Sequence, residues 1–202
     1  MLIENKTTYE NENFTGEKLK NKTISGYTFI SCKFNFANFE DAAISSSNFT
    51  NCNFTSANIS GAKIAKSSFT NCTFTGANLA DTTMSNCKAT GSNFIETNLL
   101  GFSIDKGNYS YTNFSNCNLK LMNLSNTSFA NSFLQHCNLE KTKILDADFT
   151  SAVLNNASLK EADIRGTKID GIDFKNFNLK KTKIDIAQAI CISESFGAIC
   201  EE

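Results

Sequence analysis

Phe29-Ile30-Ser31-Cys32-Lys33-Phe34-Asn35-Phe36-Ala37-Asn38-Phe39-Glu40-Asp41-Ala42-Ala43-Ile44-Ser45-Ser46-Ser47-Asn48-Phe49 returns to an apolar residue at every fifth place: Phe29, Phe34, Phe39, Ile44 and Phe49. Stepping outward by five in both directions, the series runs without a slip from Phe14, Leu19 and Ile24 to Phe174, Leu179 and Ile184. Thirteen of the 18 Phe fall on it, in a chain that is 41% hydrophobic, so chance does not produce the run. Two residues before most centres stands Ala, Ser, Thr, Cys or Gly, as at Cys32, Ala37, Ala42 and Ser47. The period implies two inward residues in each five, one large and one small.

Neither a helix, with period 3.6, nor a flat strand, with period 2, accommodates this spacing. A short straight segment followed by a corner does, and four of them close a square coil. The centres repeat at 20: Phe14, Phe34, Phe54, Phe74, Phe94 and Phe114 define one wall, and Leu19, Phe39, Ile59, Leu79, Leu99 and Leu119 a second. Ile24, Ile44, Ile64, Met84, Ile104 and Leu124 form a third, and a mostly Phe series from Phe29 to Phe149 a fourth. The fold read from this pattern is all-β: a right-handed quadrilateral β-helix over residues 1–186, of about nine coils. At ~4.8 Å per coil it makes a rod on the order of 43 Å long. Small inward residues give way to Glu12, Glu17, Lys22 and Tyr27 near one end and to Ile172 and Phe177 near the other, which reads as capping of the two ends. From Ala187 to Gly197 the apolar residues take helical spacing, so residues 187–202 are expected to form a short C-terminal helix and tail.

Composition excludes several function classes. There is no Pro and no Trp, and 19 basic against 20 acidic side chains leave neither a polybasic nucleic-acid footprint nor a strongly acidic surface. The first residues lack an apolar leader and no long apolar run follows, so the expectation is a cytoplasmic chain with no membrane contact and its eight Cys reduced. Cys32, Cys52 and Cys72 stand 20 apart, as do Cys117 and Cys137, and each set reads as small inward hydrophobes sharing one wall. The single histidine, His136, falls on an outward position with no partner pattern for a triad. No Gly-rich loop, metal box or acid pair stands out. The expectation is a non-enzymatic chain without cofactor or metal.

Fragments such as Ala57-Asn58-Ile59-Ser60-Gly61 and Ala77-Asn78-Leu79-Ala80-Asp81 resemble the pentapeptide-repeat family over residues 12–185. Phe14-Thr15-Gly16-Glu17-Lys18-Leu19, Asp163-Ile164-Arg165-Gly166 and Ala187-Gln188-Ala189 through Phe196-Gly197-Ala198-Ile199 are similar to the two ends of the Qnr quinolone-resistance proteins. That resemblance implies a protein that binds DNA gyrase or topoisomerase IV, protects it from quinolones and forms a homodimer through its C-terminus. The register here is unbroken, as in the loop-free members of the family. The rival reading is a structural or scaffold rod for another protein, with no resistance role.

Irregular residues mark the candidate sites. Phe102 and Met122 occupy small-residue places one coil apart, and Leu100, Tyr111, Leu121 and Phe133 take nominally outward places nearby. Leu100, Phe102, Tyr111, Leu121 and Phe133 are therefore the candidate partner-binding residues, the alternative being a bulge that turns some of them inward. Leu179, Ile190, Ile192, Phe196 and Ile199 are the candidate dimer contacts.

Overall fold

The protein is described from a computed structural model covering residues 7–201. Every fifth residue from Asn11 to Gly171 has a positive φ, and the non-glycine members lie between 48° and 66°. These are the residues two places after each apolar centre, and their left-handed conformation turns the chain through a corner. The N–H one place further on closes the corner onto the centre's carbonyl, as from Ala37 to Phe34 at 3.1 Å and from Ala42 to Phe39 at 2.9 Å. Asn before the centre braces the same corner: Asn38 Oδ1 accepts the Glu40 N–H at 2.9 Å, and Asn93 Oδ1 accepts that of Ile95 at 3.0 Å. Asn and Asp tolerate the left-handed region better than other side chains, which explains their density at Asn11, Asn21, Asp41, Asn51, Asn71 and Asp81.

Four corners return the chain above itself, and coils pair in parallel with a register shift of 20. On the fourth wall the strands Thr8–Glu10, Thr28–Ile30, Asn48–Thr50 and Ser68–Thr70 pair in sequence. On the third wall Thr23–Ser25, Ala43–Ser45 and Lys63–Ala65 do the same, and the longer strands Thr83–Lys88 and Ser103–Asn108 run around the corner joining these walls. Isolated bridges such as Asn13↔Lys33↔Asn53↔Thr73↔Asn93 carry the other walls. Each coil thereby satisfies the backbone of the next, leaving the lumen to side chains.

The lumen is filled by stacked side chains. Phe29, Phe49 and Phe69 stack at 4.8 Å between centroids with planes 10° and 2° apart, and Phe74, Phe94 and Phe114 at 4.8 and 4.5 Å. Ala89 interrupts the fourth-wall stack, and Tyr109 above it is fully buried with no hydrogen-bond partner for its hydroxyl among the described residues. The small inward positions do more than leave room. Ser92 Oγ donates to the Phe69 carbonyl at 2.6 Å, Thr82 Oγ1 to that of Ile59 at 2.7 Å and Cys137 Sγ to that of Phe114 at 2.9 Å. Ser92, Thr82 and Cys137 are therefore stitches between coils, whereas Ser132 and Thr142 donate to the carbonyl of the centre three residues earlier in their own coil.

At the far end the helix Ile186–Ser195 lies against the last coils. Asp185 caps it by accepting the Gln188 N–H at 2.9 Å, while the Gln188 side chain accepts the Asp185 N–H at 3.1 Å. Buried Gln188 also donates from Nε2 to the carbonyls of Ile164, at 2.5 Å, and Thr167, at 2.8 Å, standing in for the next coil that the helix replaces.

Phe54→Ala is expected to destabilise the protein by about 3–5 kcal/mol, because it removes a ring stacked between Phe34 and Phe74 and leaves a cavity that close packing cannot collapse. Chemical denaturation followed by circular dichroism measures it. A cost under about 1 kcal/mol would contradict a rigid lumen.

Candidate partner-binding surface

The coil-to-coil ladder opens at one place. On the second wall the bridges Asn38↔Asn58↔Asn78↔Asn98 stop and resume only at Asn118↔Asn138. On the third wall Lys63↔Thr83↔Ser103 stops, and pairing resumes at Asn123↔Lys143. Among the described residues no backbone hydrogen bond joins 97–104 to 118–125, whereas the first and fourth walls stay closed through Asn93↔Asn113 and through Gly107 and Asn108 paired with Thr127 and Ser128. The rod is hinged open along one corner.

The cause is in the inward positions. Phe102 is 3% exposed, its ring held where the third wall carries Ala42, Ala62 and Thr82 below and Thr142, Ala162 and Thr182 further above, and Met122 sits half-buried in the coil directly above it. Two long side chains in a lumen shaped for small ones push the coils apart at that corner. The opening is a groove of about 490 Å³ lined by Leu99, Leu100, Phe102, Lys120, Leu121 and Met122, among others. Leu99, a centre residue, is only half-buried at the groove.

Of the five predicted contact residues, Leu100, Phe102 and Leu121 line this groove, with Leu100 at 75% exposure and Leu121 at 69%. Phe102 corrects the expectation of a surface contact: it is buried and shapes the groove from below. Tyr111 and Phe133 are exposed but lie at the fourth-to-first corner and on the first wall, outside the groove, so the five residues do not form one patch. The groove itself was hidden from sequence reading, although the pair Phe102 and Met122 was the signal for it. Tyr111 and Leu121 both hold the left-handed corner conformation, with φ of 60° and 66°. That conformation is unfavourable for a bulky side chain.

At the C-terminal end Ile186, Ile190, Phe196 and Ile199 are exposed, while Leu179, Ile192 and Cys191 pack partly against the lumen. Ile186 belongs to this apolar surface although the sequence reading placed it before the helix.

Reactive chemistry is sparse. Burial pushes the Cys117 thiol up to about 11 and that of Cys137 to about 12, so both are protonated and unreactive at neutral pH. All eight Cys are free, and the described residues contain no group of three or more His, Cys, Asp or Glu able to hold a metal ion. No described helix is long and apolar enough to cross a membrane.

The sequence model described as a pentapeptide repeat region matches residues 5–79, and the one described as pentapeptide repeats, in eight copies, matches residues 67–101, 110–144 and 146–180. The chain belongs to the pentapeptide-repeat family. The family pattern lapses at residues 102–109, the segment that begins with Phe102 and contains Gly107, whose φ of 131° and closeness to the Cys87 carbonyl exclude a Cβ. No curated protein matches this pentapeptide-repeat protein by sequence. Its fold matches structures of QnrB1, described as a plasmid-mediated fluoroquinolone resistance protein. Two trypsin-treated single-substitution forms give TM-scores of 0.85 and 0.84 at 19% identity, covering 96% of this chain and 97% of theirs. The full-length form gives 0.79 at 19% identity, covering 95% of this chain and 100% of QnrB1. At that identity the likeness is one of fold.

Hydrogen bonds from Gly166 and Gln188 N–H hold the Asp185 carboxyl below its ordinary value. A carboxyl depressed in the folded state contributes stability above its unfolded pKa and loses it as the pH falls through the folded one. Docking of the terminal helix is therefore expected to weaken as the pH drops below about 4, with faster amide exchange at Gln188 and Ala189. In Asp185→Asn that acid-dependent loss should vanish, and an unchanged pH profile in the variant would contradict the assignment.

Proposed function

We propose that this pentapeptide-repeat protein is a non-enzymatic binding protein of the cytoplasm that engages DNA gyrase or topoisomerase IV and protects it from quinolones. The observation that carries the reading is the match to QnrB1 along almost the whole of both chains. The packed lumen supports a non-enzymatic role, since its volume is taken up by stacked rings and aliphatic side chains. The surface offered to the enzyme is the corner bearing Leu100 and Leu121. The partner is protein and not nucleic acid or membrane: the formal net charge is −1, and residues 140–185 mix eight acids with nine bases.

The test is gyrase supercoiling at an inhibitory fluoroquinolone concentration. The expected result is rescue by the native protein over a range of its concentrations, and a loss of rescue of about tenfold or more in potency in Leu100→Ser/Leu121→Ser. Absence of rescue by the native protein over a wide range, with both topoisomerases missing from a pull-down, would favour the scaffold reading. That reading draws on the near-neutral surface.

The protein is further proposed to dimerise through the C-terminal helix and last coil, where Ile190, Phe196 and Ile199 are exposed beside the partly covered Leu179 and Ile192. Sedimentation equilibrium is expected to give a dimer for the native chain and a monomer for Ile190→Glu/Phe196→Glu. A monomer in both would remove the proposal.

A further inference from the structure

The geometry points to the open corner as a β-augmentation site: a slot for an extended segment of another protein, apolar in its alternate residues and acidic beyond them. The opened ladder leaves two strand-like edges facing a common space. In coils on either side the Leu79 N–H donates to the Asn98 carbonyl and the Leu119 N–H to that of Asn138, both at 2.9 Å. The equivalent N–H groups of Leu99, Gly101, Asn118 and Asn123 make no hydrogen bond among the described residues, and the Asn118, Lys120, Thr97 and Phe102 carbonyls lose the matching donors. Unpaired backbone edges of this kind are completed by an added strand.

The space suits such an occupant. At ~3.3 Å rise, ~4.8 Å strand spacing and ~10 Å depth, one extended residue takes roughly 160 Å³. The groove of about 490 Å³ therefore admits about three. Leu99, Leu100, Leu121 and Met122 offer apolar contact to side chains on one face of that strand. From the groove's edge at Lys120 the same corner continues with Lys141, Lys160, Lys180 and Lys181 against Glu140 and Glu161. Lys120 and Lys141 are paired to the glutamates at 3.3 and 3.6 Å, while Lys160, Lys180 and Lys181 make no ion pair among the described residues. An acidic continuation of the strand meets that charge.

The inference does not rest on a topoisomerase being the partner. The probe is a fluorescein-labelled synthetic peptide of alternating valine and threonine, tailed by aspartates at one end or the other, with serine-tailed and backbone N-methylated versions as controls. The expected results are saturable anisotropy with the aspartate-tailed peptide and slowed amide exchange at Leu99, Gly101, Asn118 and Asn123. N-methylation should weaken binding tenfold or more. Lys160→Glu/Lys180→Glu should weaken the aspartate-tailed peptide about tenfold and leave the serine-tailed one unchanged. Phe102→Ala/Met122→Ser, which restores small inward residues and lets the corner close, should abolish binding while the fold persists by circular dichroism. No binding by any tail, equal binding of the N-methylated peptide, or full binding by the closed-corner variant would overturn the proposal. So would concentration-dependent protection of the same amides in the protein alone, which would make a second copy the occupant. Peptide binding without drug protection in the gyrase assay would leave this site standing and remove the topoisomerase reading alone.

Discussion

A left-handed residue at every fifth place is the constraint on which the rest of the rod depends. It turns the chain by one corner in a fixed number of residues, so four corners bring each coil back over the last with a register of 20. Because that register is constant, like stands on like. Phe stacks on Phe, the Asn side chains bond in a ladder from Asn98 to Asn78 at 2.9 Å and from Asn78 to Asn58 at 3.1 Å, and each backbone edge is covered by the next. Left-handed conformation costs on the order of 1–2 kcal/mol for an ordinary residue. Inter-coil hydrogen bonds and the buried rings offset it, so no corner is stable alone and cooperativity passes from neighbour to neighbour.

This arrangement makes a local misfit visible. In an irregular globule an extra ring is absorbed by small shifts on all sides, but in a stacked coil the only soft direction is along the axis, against the inter-coil bonds. Phe102 and Met122 act along that direction and open two walls, while the two remaining walls stay paired and keep the halves in register. At the corner between the third and fourth walls Gly107 stays paired with Cys87 below and Thr127 above, in a conformation where a Cβ would collide with the Cys87 carbonyl.

The walls, the sense of alternation and the terminal helix were legible because each is a periodic property summed over many coils, and the period of five survives individual exceptions. The helix boundary moved by one residue, to Ile186, because its start is fixed by the Asp185 cap and not by the apolar spacing. What was not legible depends on single contacts. The role of Ser92, Thr82 and Cys137 as donors to carbonyls a coil away is a matter of hydroxyl or thiol direction, which small size alone does not reveal. The corner positions carried a readable signal, an excess of Asn, Asp and Gly at one phase of the five, that marks left-handed backbone. The irregular residues Leu100, Tyr111, Leu121 and Phe133 were visible, but which of them share a corner follows from the phase of 20, and that phase separates Tyr111 and Phe133 from the groove.

Leu121 joins two departures that regular stacking would remove. It holds φ at 66°, where Asn or Gly would sit more easily, and it remains 69% exposed beside a groove whose existence requires Phe102 and Met122 in place of small residues. Its conformational cost, the lost inter-coil hydrogen bonds and the hydration of leucine side chains all fall on the same corner, and none of them improves packing elsewhere. Coincident local costs without a structural return are what the proposed contact surface would account for. The regular coils also hold left-handed corners, Phe36 among them, but there the inter-coil hydrogen bonds that offset the cost are intact.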